Sequence, residues 1–450
     1  MKAEEKTFCR EISRLTIPIV AQYLMDASLS SVDVIMLNFV GQSEISAASL
    51  ASQYSNILIM VLFGLGTGAT MLCAQYFGKS DMKAVQAVEG IALRFSLCAA
   101  MLFAAAALLV PEWMMRVFTD DAELIRLGAG NLRVMSIPYL CWGITEIYLS
   151  VLRSIGRVNI SMFLNVLACA LNIIFDAVFV LGLFGAPKLG IVGVAVATAI
   201  ARAVELAGCV IVSIRSRDVK IHLRGIFARH PALMSDFLRL CVPAFADDVA
   251  WSLSFSMYSV ILGHMGSDVV AANSIAVVVR SYGTTLCFAV AEAGGILLGR
   301  ELGANQMERA RADAARLIEV TLIATVIGGL AVLAASPFVP QIAAISATAK
   351  RYLRYMMWIT SYYIVLAGVN TTLIVGVFRA GGDTRFGLFC DLIPMWCYTI
   401  PVGFLAAFVL KLPVMTVYFL LFTDELVKMP FVFRRYRSGR WLRNITREDL

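Results

Sequence analysis

The most restrictive feature of the sequence is a series of long apolar segments that contain very few charged residues. Sixty per cent of the 450 residues are hydrophobic and only 15% are charged, whereas about a quarter of the residues are charged in an ordinary soluble domain. Each segment is long enough to supply the ~20 residues that a helix needs to cross a bilayer. An outer-membrane barrel would instead show alternating segments of about ten residues. The sequence therefore predicts an all-α integral membrane protein.

We predict twelve transmembrane helices, one from each apolar segment. They cover residues 12–39, 52–77, 88–111, 130–153, 160–184, 189–212, 237–263, 275–299, 315–339, 355–378, 386–410 and 412–433. The N-terminus is charged, and no small-residue cleavage site follows the first segment, so we expect no cleavable signal peptide.

The positions of the Lys and Arg residues predict the orientation of the chain in the membrane. The N-terminus, the even-numbered loops and the C-terminal tail hold 27 of the 38 basic residues, and the opposite loops hold eight. Because basic loops stay on the cytoplasmic side, both termini are expected in the cytoplasm of a multi-pass protein of the cell membrane. The net charge of +7 then follows from topology and requires no nucleic-acid partner. The basic tail can also contact anionic membrane lipid.

The sequence repeats itself with an offset of about half its length. At an offset of 225 residues Pro18 aligns with Pro243, and after one inserted residue the Val-x-Arg-x-x-Gly motif at 151–156 aligns with 377–382. Each repeat has six helices, so both enter the membrane from the same side and are related by a pseudo-two-fold axis along the membrane normal. We predict a first lobe over 1–212, a cytoplasmic linker over 213–236, a second lobe over 237–433 and a tail over 434–450.

The linker mixes five basic residues with apolar ones such as Ile226 and Phe227. This mixture fits an amphipathic segment that lies on the cytoplasmic membrane surface. A plain solvated loop fits it equally well, and the sequence does not choose between the two.

Acidic and amide side chains inside the first-lobe helices are the strongest candidates for a working site, because a carboxylate in hydrocarbon costs at least ~2.5–3.5 kcal/mol. Asp33, Asn172, Asp176 and Thr198 lie roughly 9–18 Å below the outer surface at 1.5 Å per helical residue. These oxygens suit a hard cation; alternatively, the two carboxylates share a proton. A third possibility is that Asn172 and Thr198 only join neighbouring helices by hydrogen bonds.

Other acids inside the predicted helices are candidates for lining a substrate cavity. They are Asp26, Glu146, Asp248, Asp391, Asp424 and Glu425. Lys428 follows Asp424 and Glu425 by one helical turn, which places it to neutralise one of them. Arg202 is expected to pair either with Glu205, three residues further on, or with an acid of another helix.

Several motifs, distributed over essentially the whole chain, resemble those of multidrug and toxic compound extrusion (MATE) transporters. They are Val-Asp at 32–33, Ala-Gln-Tyr-Phe-Gly at 74–78, Leu-Arg-Ser-x-Gly at 152–156, Asn-x-x-x-Asp at 172–176 and Phe-Arg-Ala-Gly-Gly-Asp-Thr at 378–384.

The resemblance implies a transporter rather than an enzyme, driven by Na⁺ or H⁺ and exporting mostly organic cations by alternating access of two lobes. It also implies a coupling-ion site, with Na⁺ as the metal ion, at the residues matching Asp33, Asn172, Asp176 and Thr198, and a helix bend at Pro18. Apart from the coupling ion we expect no cofactor, and we expect a monomer. The alternative is a lipid-linked oligosaccharide flippase of the same superfamily, which would need a cationic cavity; the interior of this chain is instead rich in acids.

Overall fold

The computed structural model describes residues 2–37, 41–216, 219–220 and 223–448. Within these ranges only the backbone is described at residues 2–4, 30–31, 33–35, 37 and 223–224. Thirteen helical segments of eight or more residues account for most of the described part of the chain. They are α1 (Lys2–Leu37), α2 (Gln42–Gly78), α3 (Met82–Leu109), α4 (Ala122–Ser154), α5 (Val158–Leu181), α6 (Ile191–Arg215), α7 (Pro231–Gly263), α8 (Ser267–Gly303), α9 (Met307–Ala335), α10 (Ala347–Phe378), α11 (Thr384–Val409), α12 (Val414–Leu421) and α13 (Asp424–Arg437).

Within the described residues each of the twelve predicted transmembrane segments overlaps one or two of these helices, which confirms the all-α membrane class. Among the described residues, nine helices are long and apolar enough by themselves to cross a membrane. The other three predicted segments correspond to α1, to α7 and to α12 with α13. Short helices at Pro111–Arg116, Leu223–Phe227 and Val339–Ile342 lie between the long ones.

The prediction of one continuous helix over 412–433 is wrong, because the segment is two helices. α12 ends at Leu421 and α13 begins at Asp424, so that Asp424 and Glu425 occupy the first turn of a new helix. Backbone N–H groups at a helix N-terminus carry partial positive charge, which stabilises carboxylates placed there. The break therefore gives two buried acids an environment that the middle of a continuous helix would lack.

Two of the long helices contain wider π-helical turns, in which each backbone N–H donates to the carbonyl five residues earlier. In α10 the π turn covers Thr372–Phe378, and in α11 such turns cover Ile393–Thr399 and Leu405–Val409. Pro394 and Pro401 lie within this part of α11 and remove backbone donors from its ladder. Such turns concentrate at functional sites in helical proteins.

The chain forms two compact units. One comprises Met1–Val20 with Val242–Asp449, and the other comprises Ala21–Cys241. Both divisions fall inside helices, α1 and α7, close to the prolines Pro18 and Pro243 that the repeat aligns.

Small residues let the helices of the Ala21–Cys241 unit approach each other closely. A Cβ added at Gly143 of α4 would lie 2.7 Å from the Ala100 Cβ of α3, and the Ser96 hydroxyl donates to the Gly143 carbonyl. Since lipid tails are as apolar as the side chains, close backbone contact and interhelical hydrogen bonds hold such helices together.

The C-terminal residues after α13 pack onto the Val242–Asp449 unit. Trp441 is 1% exposed, and a Cβ added at Gly381 would lie only 1.6 Å from the Trp441 carbonyl oxygen. The Arg435 guanidinium donates twice to the Asp383 carboxylate, over 2.6 and 2.9 Å. The C-terminal tail therefore packs against the turn between α10 and α11.

Candidate coupling and substrate sites

Three of the four predicted coupling residues lie together on α5 and α6. The Asn172 amide donates to the Thr198 hydroxyl over 3.4 Å, and that hydroxyl donates to the Val194 carbonyl over 2.9 Å. Asp176 follows Asn172 by one turn of α5 and is fully buried, with 0% exposure. Gly193 of α6 lets the backbones of α5 and α6 approach closely. A Cβ at this position would lie only 3.0 Å from the Phe179 carbonyl oxygen of α5.

The depth of this group follows from the ends of the helices. Asp176 lies five residues before the end of α5 at Leu181, and Thr198 lies seven residues after the start of α6 at Ile191. At 1.5 Å per residue these separations are about 8 and about 11 Å. The Asp176 carboxylate and the Thr198 hydroxyl thus lie at similar depth below the loop that joins α5 and α6, and the Asn172 amide lies one helical turn deeper than Asp176.

The fourth predicted residue, Asp33, belongs to α1, but its side chain lies outside the described residues. Its participation in the site stays a prediction. Pro18 is buried inside α1, where its ring removes one helical hydrogen bond, and a bend at this position is likewise still a prediction.

Asp26 has two polar neighbours on α5, neither of which was predicted as a site residue. The Asn165 amide donates a hydrogen bond to Asp26 Oδ1 over 3.3 Å, and the Cys169 thiol lies 3.6 Å from the same oxygen. Asn165 and Cys169 lie four residues apart on α5. The signal was available, because residues four apart share a helix face.

Arg202 and Glu205 form the predicted pair in α6. Their side chains are joined over 2.8 Å, Glu205 is 2% exposed, and the Arg202 guanidinium lies 4.7 Å from the centre of the Trp142 ring. Glu146 of α4 lies 3.5 Å from Arg153 and accepts a hydrogen bond from Ser150 over 3.3 Å. Both of these acids therefore have a basic partner within the same unit.

Lys428 lies at the centre of a buried acid cluster in the other unit. Its ammonium is 2.6 Å from Asp391, 2.8 Å from Glu425 and 3.8 Å from Asp424. The Asn370 amide donates to Glu425 Oε2 over 2.7 Å and to the Glu425 carbonyl over 2.9 Å. The predicted neutralisation by Lys428 is thus present and includes Asp391, a residue that lies 37 positions away.

Arg379 binds the two adjacent acids of α7 and was not predicted as a site residue. Its guanidinium lies 2.9 Å from Asp247 and 2.8 Å from Asp248, and Arg379 is 3% exposed. Burial alone lowers the pKa of this guanidinium, but the negative charges of Asp248 and Asp247 raise the pKa by more, to above its ordinary value. A guanidinium stays charged in proteins, so Arg379 places a fixed positive charge beside these two acids.

The two clusters are neighbours. A Cβ added at Gly387, one turn before Asp391 on α11, would lie 3.8 Å from Asp247 Oδ2, and Asp247 and Asp391 repel each other electrostatically. Five carboxylates thus share two basic side chains, Arg379 and Lys428. This network contains four of the six predicted cavity residues, and its formal charge is negative.

Comparison with known proteins identifies the family to which the chain belongs. The MatE family model matches residues 18–178 and 243–422, which correspond to the two halves of the repeat. The uncharacterized transporter YisQ of Bacillus subtilis is 24% identical, and the match covers 98% of this chain and 96% of that protein. The probable multidrug resistance protein NorM of Thermotoga maritima is 22% identical over 99% of this chain and 96% of that protein.

Solved structures share the fold. A MATE transporter in the straight conformation superposes with a TM-score of 0.86 at 19% identity, covering 96% of both chains. A MATE structure in the bent conformation gives a TM-score of 0.85 at 20% identity, covering 98% of both chains. MATE proteins are transporters and not enzymes, and they have twelve transmembrane helices in two lobes. The chain belongs to the MatE family and is an integral, multi-pass membrane transporter.

Proposed function

We propose that this transporter is an antiporter that couples the entry of Na⁺ or H⁺ to the export of organic, mostly cationic small molecules. The observation that carries this proposal is the excess of acid among the buried charged groups. In the Val242–Asp449 unit five carboxylates share two basic side chains. A negative, partly aromatic interior attracts lipophilic cations through ion pairing and cation–π contact.

Aromatic residues supply the apolar part of such an environment in the same unit. Phe255 packs edge-on against Trp251 at 4.5 Å and against Tyr258 at 5.3 Å between ring centres. The Arg280 guanidinium already lies 4.3 Å from the centre of the Phe255 ring. Rings that accept one cation on their faces are suited to accept a substrate cation of similar chemistry.

Coupling is proposed at the α5–α6 site of the Ala21–Cys241 unit. Asp176, Asn172 and Thr198 offer carboxylate, amide and hydroxyl oxygens, which are the ligands that hard cations prefer. With Asp33 as a second carboxylate, the same site would alternatively hold a proton, because neighbouring negative charges favour protonation of one acid. The coupling ion is a transported substrate in either case.

We also propose that the protein works as a monomer in the cell membrane with both termini in the cytoplasm. This orientation rests on the distribution of basic residues, 27 on one side against eight on the other. Alternating access of the two lobes then exposes the substrate and the coupling ion to each side in turn.

A flippase for lipid-linked oligosaccharides shares the general plan but requires a cationic cavity. The fold alone does not decide between such functions. One structure with a TM-score of 0.85 and 20% identity, from Pyrococcus furiosus, is described as having a binding pocket of reversed polarity that suggests a different function. In this chain the acid excess favours cation transport.

Transport by purified protein in proteoliposomes tests the proposal. Vesicles loaded with a cationic dye such as ethidium are given an inward Na⁺ gradient or an inward proton gradient in separate experiments. We expect one of the two gradients to accelerate dye efflux and the Asp176→Asn variant to lose this acceleration. A panel of cationic dyes that is not transported, together with flipping of an anionic pyrophosphate lipid, would establish the flippase instead.

A further inference from the structure

A cavity of about 370 Å³ lies between the beginning of α3 and the linker, outside the proposed coupling and substrate sites. Its walls include Lys83 and Glu89 of α3 together with Lys220 and His230 of the linker. Two lysines, a histidine, the Gln86 amide and a single carboxylate therefore line the same cavity. The transport proposal makes no use of these groups.

The linker is held firmly over α3 at this cavity. The Arg94 guanidinium donates to the Ile226 carbonyl over 2.6 Å and to the Ala228 carbonyl over 2.5 Å. A Cβ added at Gly90 would lie 2.5 Å from the Gly225 carbonyl oxygen, so the two backbones are in contact. The cavity is thus bounded by packed elements on both sides.

Glu89 is the unusual member of this cavity. The residue is 2% exposed, and its Oε1 atom has no hydrogen-bond partner among the residues that the structure describes. Leaving a buried polar group unsatisfied costs about 1–3 kcal/mol, and more for a charged group. The side chain lines the cavity, where a hydrogen-bond donor from a ligand would satisfy it.

The arrangement of charge defines the ligand chemistry. Lys83 and Lys220 are exposed, whereas Glu89 is buried. A simple anion would be attracted by the lysines but would offer no donor to Glu89 Oε1, whereas a simple cation would be repelled by the lysines. A zwitterion that carries a phosphate and a primary ammonium a few bonds apart satisfies both sets of groups.

We propose that this cavity binds the phosphoethanolamine headgroup of a membrane phospholipid. The phosphate lies against Lys83 and Lys220, and the ammonium donates to Glu89. Phe227, between two linker residues that line the cavity, is 79% exposed and offers an apolar contact for the acyl chains. That exposed ring favours a lipid over a soluble phosphoethanolamine as the source of the headgroup.

Native mass spectrometry of the purified full-length chain in detergent tests this assignment. Phosphatidylethanolamine, phosphatidylcholine and phosphatidylglycerol with identical acyl chains are titrated separately, because the second lacks N–H donors and the third lacks an amine. We expect the wild type to bind phosphatidylethanolamine about tenfold more tightly than the other two lipids, as one charged hydrogen bond would produce.

Two variants assign the contacts. Glu89→Gln should bring phosphatidylethanolamine down to the affinity of phosphatidylcholine, and Lys220→Ala should weaken the binding of all three lipids. Lys220 is exposed, so its loss does not threaten folding. Glu112→Gln and Lys188→Ala, which alter the same residue types elsewhere in this unit, should leave every affinity unchanged.

Three results would overturn the proposal. The first is equal affinity of the wild type for all three lipids, which would indicate non-specific lipid contact. The second is a preference for phosphatidylethanolamine that survives Glu89→Gln in correctly folded protein. The third is binding of free O-phosphoethanolamine as tight as that of the lipid, which would assign the cavity to a soluble ligand.

Discussion

The Lys428 ammonium lies 2.6 Å from the Asp391 carboxylate and so joins α13 to α11 inside the Val242–Asp449 unit. Both residues are buried, at 3% and 8% exposure. A charge removed from water is tolerated only when partners compensate it. Lys428 therefore acts as an internal cation that allows three acids, Asp391, Asp424 and Glu425, to be buried together.

Replacing Lys428 by Met should destabilise the protein severely. The change leaves three buried carboxylates without their common counter-ion, and breaking a buried ion pair in this way costs about 3–5 kcal/mol. The thermal unfolding midpoint in detergent measures the effect, and Lys411→Met at an exposed position of the same unit is the control. Adding Glu425→Gln should recover part of the loss. Equal midpoints for wild type and Lys428→Met would contradict this role.

For the partners of Arg379 we expect a different pattern of stability loss, because this guanidinium has two acidic partners. Asp247→Asn or Asp248→Asn alone should be mild, at about 1 kcal/mol, since one carboxylate remains. The double variant leaves Arg379 buried and uncompensated and should cost about 3–5 kcal/mol. Unfolding midpoints of the singles and the double give the coupling energy; simple addition of the two single effects would contradict a shared partner.

The coupling site is tested by removing charge while nearly preserving shape. Asp33→Asn and Asp176→Asn should each abolish ion-driven efflux, and the double variant should be no worse than either single, because either loss already dismantles a shared site. Asp26→Asn, on the same helix as Asp33, should be milder. Efflux is measured in proteoliposomes at matched protein content. Near-normal driven efflux in both singles would move the coupling site to the acids around Lys428 and Arg379.

The docking of the C-terminal tail depends on the missing side chain of Gly381. In Gly381→Ala the new Cβ would lie 1.6 Å from the Trp441 carbonyl oxygen, so the tail must move away. Trypsin should then cut after Arg440 much faster than in the wild type. Gly263→Ala, where nothing lies within 4 Å of the new Cβ, is the matched control. Unchanged cleavage would show that the tail accommodates the methyl group.

The predicted topology places the linker and the α5–α6 loop on opposite sides of the membrane. Single cysteines are introduced at Arg229 and at Lys188, both exposed, in a background where the exposed Cys9, Cys98 and Cys397 are replaced by Ser. A membrane-impermeant maleimide added to intact cells should label the Lys188→Cys protein only. Labelling of Arg229→Cys alone from outside would invert the orientation.

The sequence determined the helical membrane architecture because hydropathy and length act locally. An apolar stretch of about 20 residues has to satisfy its own backbone in lipid, and only a helix does so within one segment. The same local reasoning found Arg202 with Glu205 and placed Asn172 and Asp176 on one face of α5. These residues are three or four positions apart, and helical geometry alone brings them together.

Tertiary structure decided which distant charges meet. Arg379 is 132 positions from Asp247 and 131 from Asp248, and no local pattern indicates that they pair. The break before Asp424 could not be predicted either, because the sequence stays apolar across Phe422. The reason for a new helix start is found only in the structure, where the acids of its first turn are buried near Lys428. Periodicity determines the face on which a side chain lies, whereas packing between helices determines what that face meets.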